Sequence, residues 1–362
     1  MKVAFRADAS LTIGTGHVMR CLTLADALRT QGADCVFLSR DHAGHLHQLV
    51  EARGYPLLSL GAVDPVTGRE GVTGYANWLG VDPKRDADDT VARIAGLSVD
   101  WLVVDHYGLD DLWEHTLRPT CGRIMAIDDL ANRDHVVDVL LDQNLGKTPA
   151  DYEARVSASC QLMMGPRYAL LRPEFAALRT ASLSRRQEGR PRKLLVTMGG
   201  VDLENATGAV LEALNAWGSS ANLHVTIVMG PSAPWRDKII HQARCLSFPT
   251  EVLVNVQGMG DLMCNADLAI GAAGSTSWER CCLGLPTLQI VLAENQRLIA
   301  NALSQAGAAH MLERAGLGVS LAKAMDQLVR DPALLLRMST AAAILVDGQG
   351  TERIAQYLKE GL

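Results

Sequence analysis

The sequence predicts an α/β protein built from two facing Rossmann-like domains, and three observations carry that prediction. Short apolar runs recur along the chain with helical-period stretches between them. Most of these runs are continuously apolar instead of alternating, as parallel strands covered on both faces require. The pattern stops at a polar stretch near the middle of the 362 residues and then restarts. A chain of this length, 48% hydrophobic, can fill two domain interiors.

In the first half, Val3 to Phe5, Cys35 to Leu38, Trp101 to Val104, Ile124 to Ile127 and Val139 to Leu141 read as strands. Between the first two, Val18, Cys21, Leu22, Ala25 and Leu28 keep one helical face apolar, and Gly32 suits a left-handed helix close. The stretch from Arg179 to Lys193, RTASLSRRQEGRPRK, has no apolar periodicity and reads as a solvated linker and hinge. The strand pattern resumes with Leu194 to Met198, Val225 to Met229, Val252 to Val254, Leu268 to Ile270 and Thr287 to Leu292. The expected division is therefore 1–178 and 194–345 as domains, 179–193 as linker, and a C-terminal helix within 346–362.

Composition narrows the function. A net charge of −6 leaves no basic excess of the kind that nucleic acid binding needs. The opening MKVAFRADAS lacks a basic segment followed by a long apolar one, and the runs 101–104 and 341–346 are far too short to cross a bilayer, so a cytoplasmic protein without membrane insertion is expected. The eight cysteines form no CxxC pair, which argues against a zinc knuckle or redox dithiol and for reduced, mostly buried thiols.

Chemistry concentrates at strand ends. The turn Gly14-Thr15-Gly16 follows the first strand and delivers His17 to the start of a helix, placing a titratable imidazole beside a backbone that a ligand can approach closely. The GTGHVM segment fails the dinucleotide fingerprint because Met19 stands at its third glycine position, and no GxxxxGK[ST] exists, so no cofactor is expected. A helix-capping role for His17 is the competing reading.

The stretch from Gly271 to Glu279, GAAGSTSWE, likewise follows a strand and opens a helix that Ser275, Thr276 or Ser277 can cap. Amides, hydroxyls and the helix dipole suit a diphosphate there, and Glu279 can accept from ribose hydroxyls. Polar residues also end other runs: Asp105-His106-Tyr107, Asp128-Asp129, Asp142-Gln143-Asn144 and Glu294-Asn295-Gln296. Asp128 and Asp129 read as a turn and cap, since neighbours on a strand point to opposite faces and make a shared metal unlikely; no metal is expected. Tyr107 and Asn295 are candidates for orienting a sugar.

Together RADASLTIGTGHVMRCLTLA, VVDHYGLD, DDLANRDHVVDVLLDQN, YALLRPEF, TMGGVDLEN and GAAGSTSWERCCLGLPTL followed by ENQ resemble the UDP-2,4-diacetamido-2,4,6-trideoxy-β-L-altropyranose hydrolases of bacterial pseudaminic acid biosynthesis. The correspondence runs to about residue 305; the C-terminal glycine segment alone is shared with related glycosyltransferases. The resemblance implies a two-domain GT-B architecture related to the glycosyltransferase that forms lipid II. It also implies metal-independent, inverting hydrolysis of a UDP-linked diacetamido trideoxy sugar to UDP and free sugar, with a C-terminal helix returning to the first domain. By resemblance, His17 is the catalytic base, Gly14, Gly16, Tyr107 and Asn295 lie at the sugar, and Gly274, Ser275, Thr276 and Glu279 hold the nucleotide. A GT-B glycosyltransferase using a UDP-sugar donor, or a non-catalytic nucleotide-sugar-binding protein, would show much of the same pattern.

Overall fold

The computed structural model describes residues 1–64, 74–186, 189–231 and 233–361. The chain divides into two compact units, Met1–Leu170 with Gly350–Leu362, and Leu171–Gln349. The first unit holds seven parallel strands: β1 (Lys2–Ala7), β2 (Asp34–Asp41), β3 (Leu57–Ala62), β4 (Val99–Asp105), β5 (Cys121–Ile127), β6 (Val139–Asp142) and β7 (Gln161–Met164). Their order is β3-β2-β1-β4-β5-β6-β7. The chain reverses its direction of build between β1 and β4, where Val3 pairs with Trp101 and Phe5 with Val103. Doubly wound sheets bind ligands at the strand ends beside such a reversal.

Alternation along β1 explains how both faces are covered. Val3 and Phe5 join Trp101 and Val103 on one face, under Val18, Cys21, Leu22, Ala25 and Leu28 of the helix Gly16–Thr30. Ala4 joins Leu38, Leu102 and Val104 on the other, under Ala87 and Ile94 of the helix Pro83–Ile94 and Trp113 of the helix Asp111–Leu117. The helix Gly350–Glu360 completes the first face with Ile354, Ala355 and Leu358, while Trp101 Nε1 donates to the Leu358 carbonyl across 2.9 Å.

The second unit holds six parallel strands: β8 (Lys193–Thr197), β9 (His224–Met229), β10 (Thr250–Val254), β11 (Leu268–Ala272), β12 (Thr287–Ile290) and β13 (Ala309–Leu312), in the order β10-β9-β8-β11-β12-β13. Its reversal lies between β8 and β11, so the Met198-Gly199-Gly200 and Gly271-to-Ser275 segments leave neighbouring strands. Three strands carried no signal in the sequence: β3, β7 and β13, with the segments LLSLGA, QLMM and AHML. All three lie at sheet edges, where partial exposure relaxes the demand for a continuous apolar run.

The expected linker needs correction. The change of unit falls at Leu170–Leu171, and residues 179–184 lie inside the helix Pro173–Ser184, which buries Phe175 and Ser182. Arg179, Arg185 and Arg186 turn inward, while Arg190 and Arg192 are exposed. Arg179 donates to the carbonyls of Cys282 and Ala343, and Arg185 to those of Cys264 and Ala266 while pairing with Asp267. Arg186 reaches the carbonyls of Ala266, Met263 and Leu283. These carbonyls lie at or near helix C-termini, which lack intrahelical donors and carry the negative end of the dipole.

Candidate active site

In the first unit, β1 runs into a loop in which the Gly14 amide donates to the Ser10 carbonyl at 2.9 Å. Gly14 has φ of +81°, a conformation that side chains resist, and a Cβ there would meet nothing within 4 Å. The helix begins at Gly16, so His17 belongs to its first turn; no side chain caps this helix N-terminus, which leaves the capping role for His17 without support. His17 is 7% exposed.

Asp105, the last residue of β4, lies across the reversal from that turn, with His17 Nδ1 2.5 Å from Asp105 Oδ1. An ionised carboxylate only accepts, so Nδ1 carries a proton, and in the neutral ring the lone pair is then on Nε2. Nε2 makes no hydrogen bond among the described residues. Arg20, one helical turn beyond His17, donates from Nε to Asp105 Oδ2 at 2.5 Å and from Nη2 to Oδ1 at 2.7 Å. Burial would raise the Asp105 carboxyl, but Arg20 and His17 hold it well below the usual carboxylate range.

The network extends along the sheet edge. Arg20 Nη2 lies 2.8 Å from Asp129 Oδ2, and Asp129 also accepts from Tyr107 Oη and Asn144 Nδ2, each at 2.6 Å. Tyr107 therefore presents its ring to His17, edge to face with centroids 4.7 Å apart, while its hydroxyl is occupied by Asp129. Burial and Asp129 push its phenol well upward, so it remains a donor. Trp78 stacks on Tyr107 at 5.5 Å. Beyond Asn144, the Asp142 carboxyl is pushed up to about 6 by burial and by Asp129.

Asp128 faces elsewhere than Asp129. It accepts from the amides of Leu130 and Ala131 and lies 2.8 Å from Arg133 Nη1, a turn arrangement. No group of three or more His, Cys, Asp and Glu is arranged to hold a metal among the described residues. The sequence places Asp105, Asp129 and Asn144 at the ends of apolar runs but gives them no role in the site, and Arg20 was not among its candidates although it stands at helical spacing from His17.

In the second unit, β11 ends at Ala272 and the helix Thr276–Cys282 begins four residues later. No side chain caps it, contrary to the role expected of Ser275, Thr276 or Ser277; the Ser277 amide donates instead to the Gly274 carbonyl at 2.9 Å. Ser275 is exposed, and Gly274 and Thr276 are half-buried. Glu279 is half-buried, its Oε1 3.7 Å from Arg172 Nη2, and burial pushes its carboxyl up to about 7 against the pull of Arg172 and Arg280.

The turn Glu294–Gln296 stands beside this loop. Gln296 Oε1 accepts from the Leu292 amide at 3.0 Å, and its Nε2 lies 3.8 Å from the point a Gly274 Cβ would occupy. Asn295 is exposed and makes no hydrogen bond among the described residues. At the neighbouring glycine turn, Asp202 already occupies the amides of Ala206 and Thr207 that open the next helix. The structure thus assembles His17 with Tyr107 in one unit and Gly274, Ser275, Thr276, Glu279 and Asn295 around one strand end of the other.

Residues 193–356 match the glycosyltransferase family 28 C-terminal domain. The whole chain superposes on MurG of Acinetobacter baumannii with a TM-score of 0.70 at 15% identity, covering 99% of each chain. The chain has the GT-B fold. The UDP-GlcNAc 2-epimerase from Neisseria meningitidis, solved with UDP-GlcNAc, shares the fold of this GT-B protein with a TM-score of 0.60 at 11% identity, covering 99% of this chain and 100% of that one. Among relatives in sequence, an uncharacterized protein of Methanocaldococcus jannaschii, MJ1062, is 23% identical over 82% of the chain, which spans only 57% of that protein's length. The spore coat polysaccharide biosynthesis protein SpsG of Bacillus subtilis is 24% identical over 99% of this chain and 98% of its own. The UDP-2,4-diacetamido-2,4,6-trideoxy-beta-L-altropyranose hydrolase of Campylobacter jejuni is 25% identical over 85% of this chain and 97% of its own.

Proposed function

We propose that this GT-B protein hydrolyses a UDP-linked 2,4-diacetamido-2,4,6-trideoxy sugar with inversion, and that His17 is the base. The observation that carries the reading is the His17–Asp105 contact, which holds a proton on Nδ1 so that in the neutral ring Nε2 is the atom able to accept one. His17 Nε2 removes a proton from water as the water oxygen bonds to the anomeric carbon. The bond from that carbon to the β-phosphate oxygen breaks, and its electron pair leaves with UDP. Asp105 stabilises the imidazolium formed in this step, and Arg20 keeps Asp105 ionised throughout.

In this reading the open backbone at Gly14 and the exposed Gly16 admit the sugar, the Tyr107 ring shapes the space beside His17, and Asn295 offers its free amide. Gly274, Ser275 and Thr276 hold the diphosphate, and Glu279 meets the ribose. The hydrolase of Campylobacter jejuni, matched over nearly its whole length, supports the choice of substrate. NMR of the product formed from the UDP-sugar in isotopically labelled water, with EDTA present, tests bond, configuration and metal independence together. Free sugar of inverted configuration and UDP are expected; intact substrate that turns over only when a divalent ion is restored rejects the metal-free reaction.

The family 28 domain favours a second reading, transfer of the sugar from UDP to an acceptor hydroxyl. Stoichiometric free sugar without any acceptor decides for hydrolysis, and tight UDP-sugar binding with no turnover in either assay decides for a binding protein.

A further inference from the structure

Arg280 is 1% exposed, yet it has no carboxylate within ion-pairing distance among the described residues. Its Nη2 donates to the Ala272 carbonyl at 2.7 Å and to Ser277 Oγ at 3.0 Å, bracing the start and end of the loop between β11 and the next helix. Its Nε and Nη1 are buried without any hydrogen-bond partner among the described residues. The guanidinium occupies the space beside Gly271: a Cβ there would lie 2.7 Å from Nη1 and 2.8 Å from the Thr197 carbonyl oxygen. Hence it stands between the ends of β8 and β11, at the reversal of the second sheet.

An unpaired cation in a protein interior is costly, and burial lowers this arginine to about 10. Neighbouring Glu279 acts on this charge only through space, since its carboxylate pairs with Arg172 and no carboxylate oxygen reaches Arg280 among the described residues. The guanidinium thus stands without a contact counter-ion directly behind Ala272 to Ser277, where its field acts on whatever the loop holds.

We infer that Arg280 is a positioning residue for a nucleoside diphosphate: it braces the Ala272-to-Ser277 loop, and its unpaired charge attracts the diphosphate from behind that loop. This rests on the nucleotide reading of the Gly274-to-Glu279 segment and adds to it the residue that discriminates charge. A purely structural arginine would affect all ligands of the loop alike, whereas this one distinguishes UDP from uridine.

Calorimetric titration of the full chain with UDP and with uridine provides the test. In Arg280→Gln, UDP affinity falls about tenfold or more while uridine affinity moves less than about twofold, and Arg280→Lys, which keeps the charge, stays within about threefold of wild type for UDP. Equal losses for UDP and uridine, or unchanged UDP affinity in Arg280→Gln, overturn the inference. Should Arg280→Gln fail to fold by circular dichroism, Arg280→Lys decides: retained UDP affinity supports the charge role, and a loss of about tenfold overturns it. Wild-type protein that binds neither ligand overturns the nucleotide reading and this inference with it, whereas wild-type UDP binding with an unaffected Arg280→Gln overturns the inference alone.

Discussion

Arg20 grips Asp105 through two parallel hydrogen bonds, Nε to Oδ2 at 2.5 Å and Nη2 to Oδ1 at 2.7 Å, in a site where the carboxylate side chain is fully buried. This fork fixes the plane of the carboxylate, and one oxygen remains aligned with His17 Nδ1. The orientation of the imidazole is therefore set by a residue on its own helix acting through a strand end.

Asp105→Asn replaces an acceptor with an amide that can present N–H to His17 and so favour the wrong tautomer. The expected fall in kcat is about 10³- to 10⁴-fold with little change in KM, read from steady-state UDP release. The double variant with His17→Gln should be no slower than His17→Gln alone, since the two act as one unit. Full additivity would detach Asp105 from the base.

Removing the guanidinium should cost stability as well as rate. Arg20→Met leaves the buried Asp105 and the half-buried Asp129 without their shared cation, and a loss of about 3–5 kcal/mol is expected from urea denaturation at pH 7. At low pH, where the carboxyls take up protons, the difference from wild type should shrink.

His135 predicts a pH dependence of its own. Burial lowers this imidazole, but Asp128 and Glu114 outweigh burial and push it up to about 9. Its folded value is above its unfolded one of about 6.5, so the stabilisation is complete below that pH and is lost as pH rises through about 9. His135→Gln should flatten the fall in denaturation midpoint between pH 7 and 9.5; an unchanged slope would assign the fall to other groups.

Glu279 has the opposite consequence. A carboxyl raised to about 7 by burial is less stable ionised in the fold than in the unfolded chain, so its penalty is absent below about pH 4.5 and complete above 7. Glu279→Gln should raise the melting temperature at pH 8 and leave it nearly unchanged at pH 4.5. Its UDP affinity should weaken if the carboxylate meets the ribose.

Much of this architecture was legible because parallel strands buried on both faces leave continuous apolar runs, as at Trp101 to Val104. The edge strands were not, since half-exposed segments such as QLMM lack that mark. His17 was readable from its glycine turn, but its partners depend on strand order: Asp105 meets it only because β4 lies beside β1. No local pattern separates Asp129, which faces Arg20, from Asp128, which closes a turn. The arginines from 179 to 186 misled for a related reason. Charge runs look alike whether they meet water or helix carbonyls 77 to 164 residues away.

The helix Gly350–Glu360 supplies Ile354, Ala355 and Leu358 to the same interior as Val3 and Phe5. During synthesis the amino-terminal sheet therefore emerges with one piece of its cover missing and must wait for nearly two hundred further residues, about ten to forty seconds at ordinary ribosomal speed. Residues 171–349 are contiguous and can close on their own in that interval. The unit that starts first along this sequence is thus the one completed last, and until then part of its apolar face stays open to association.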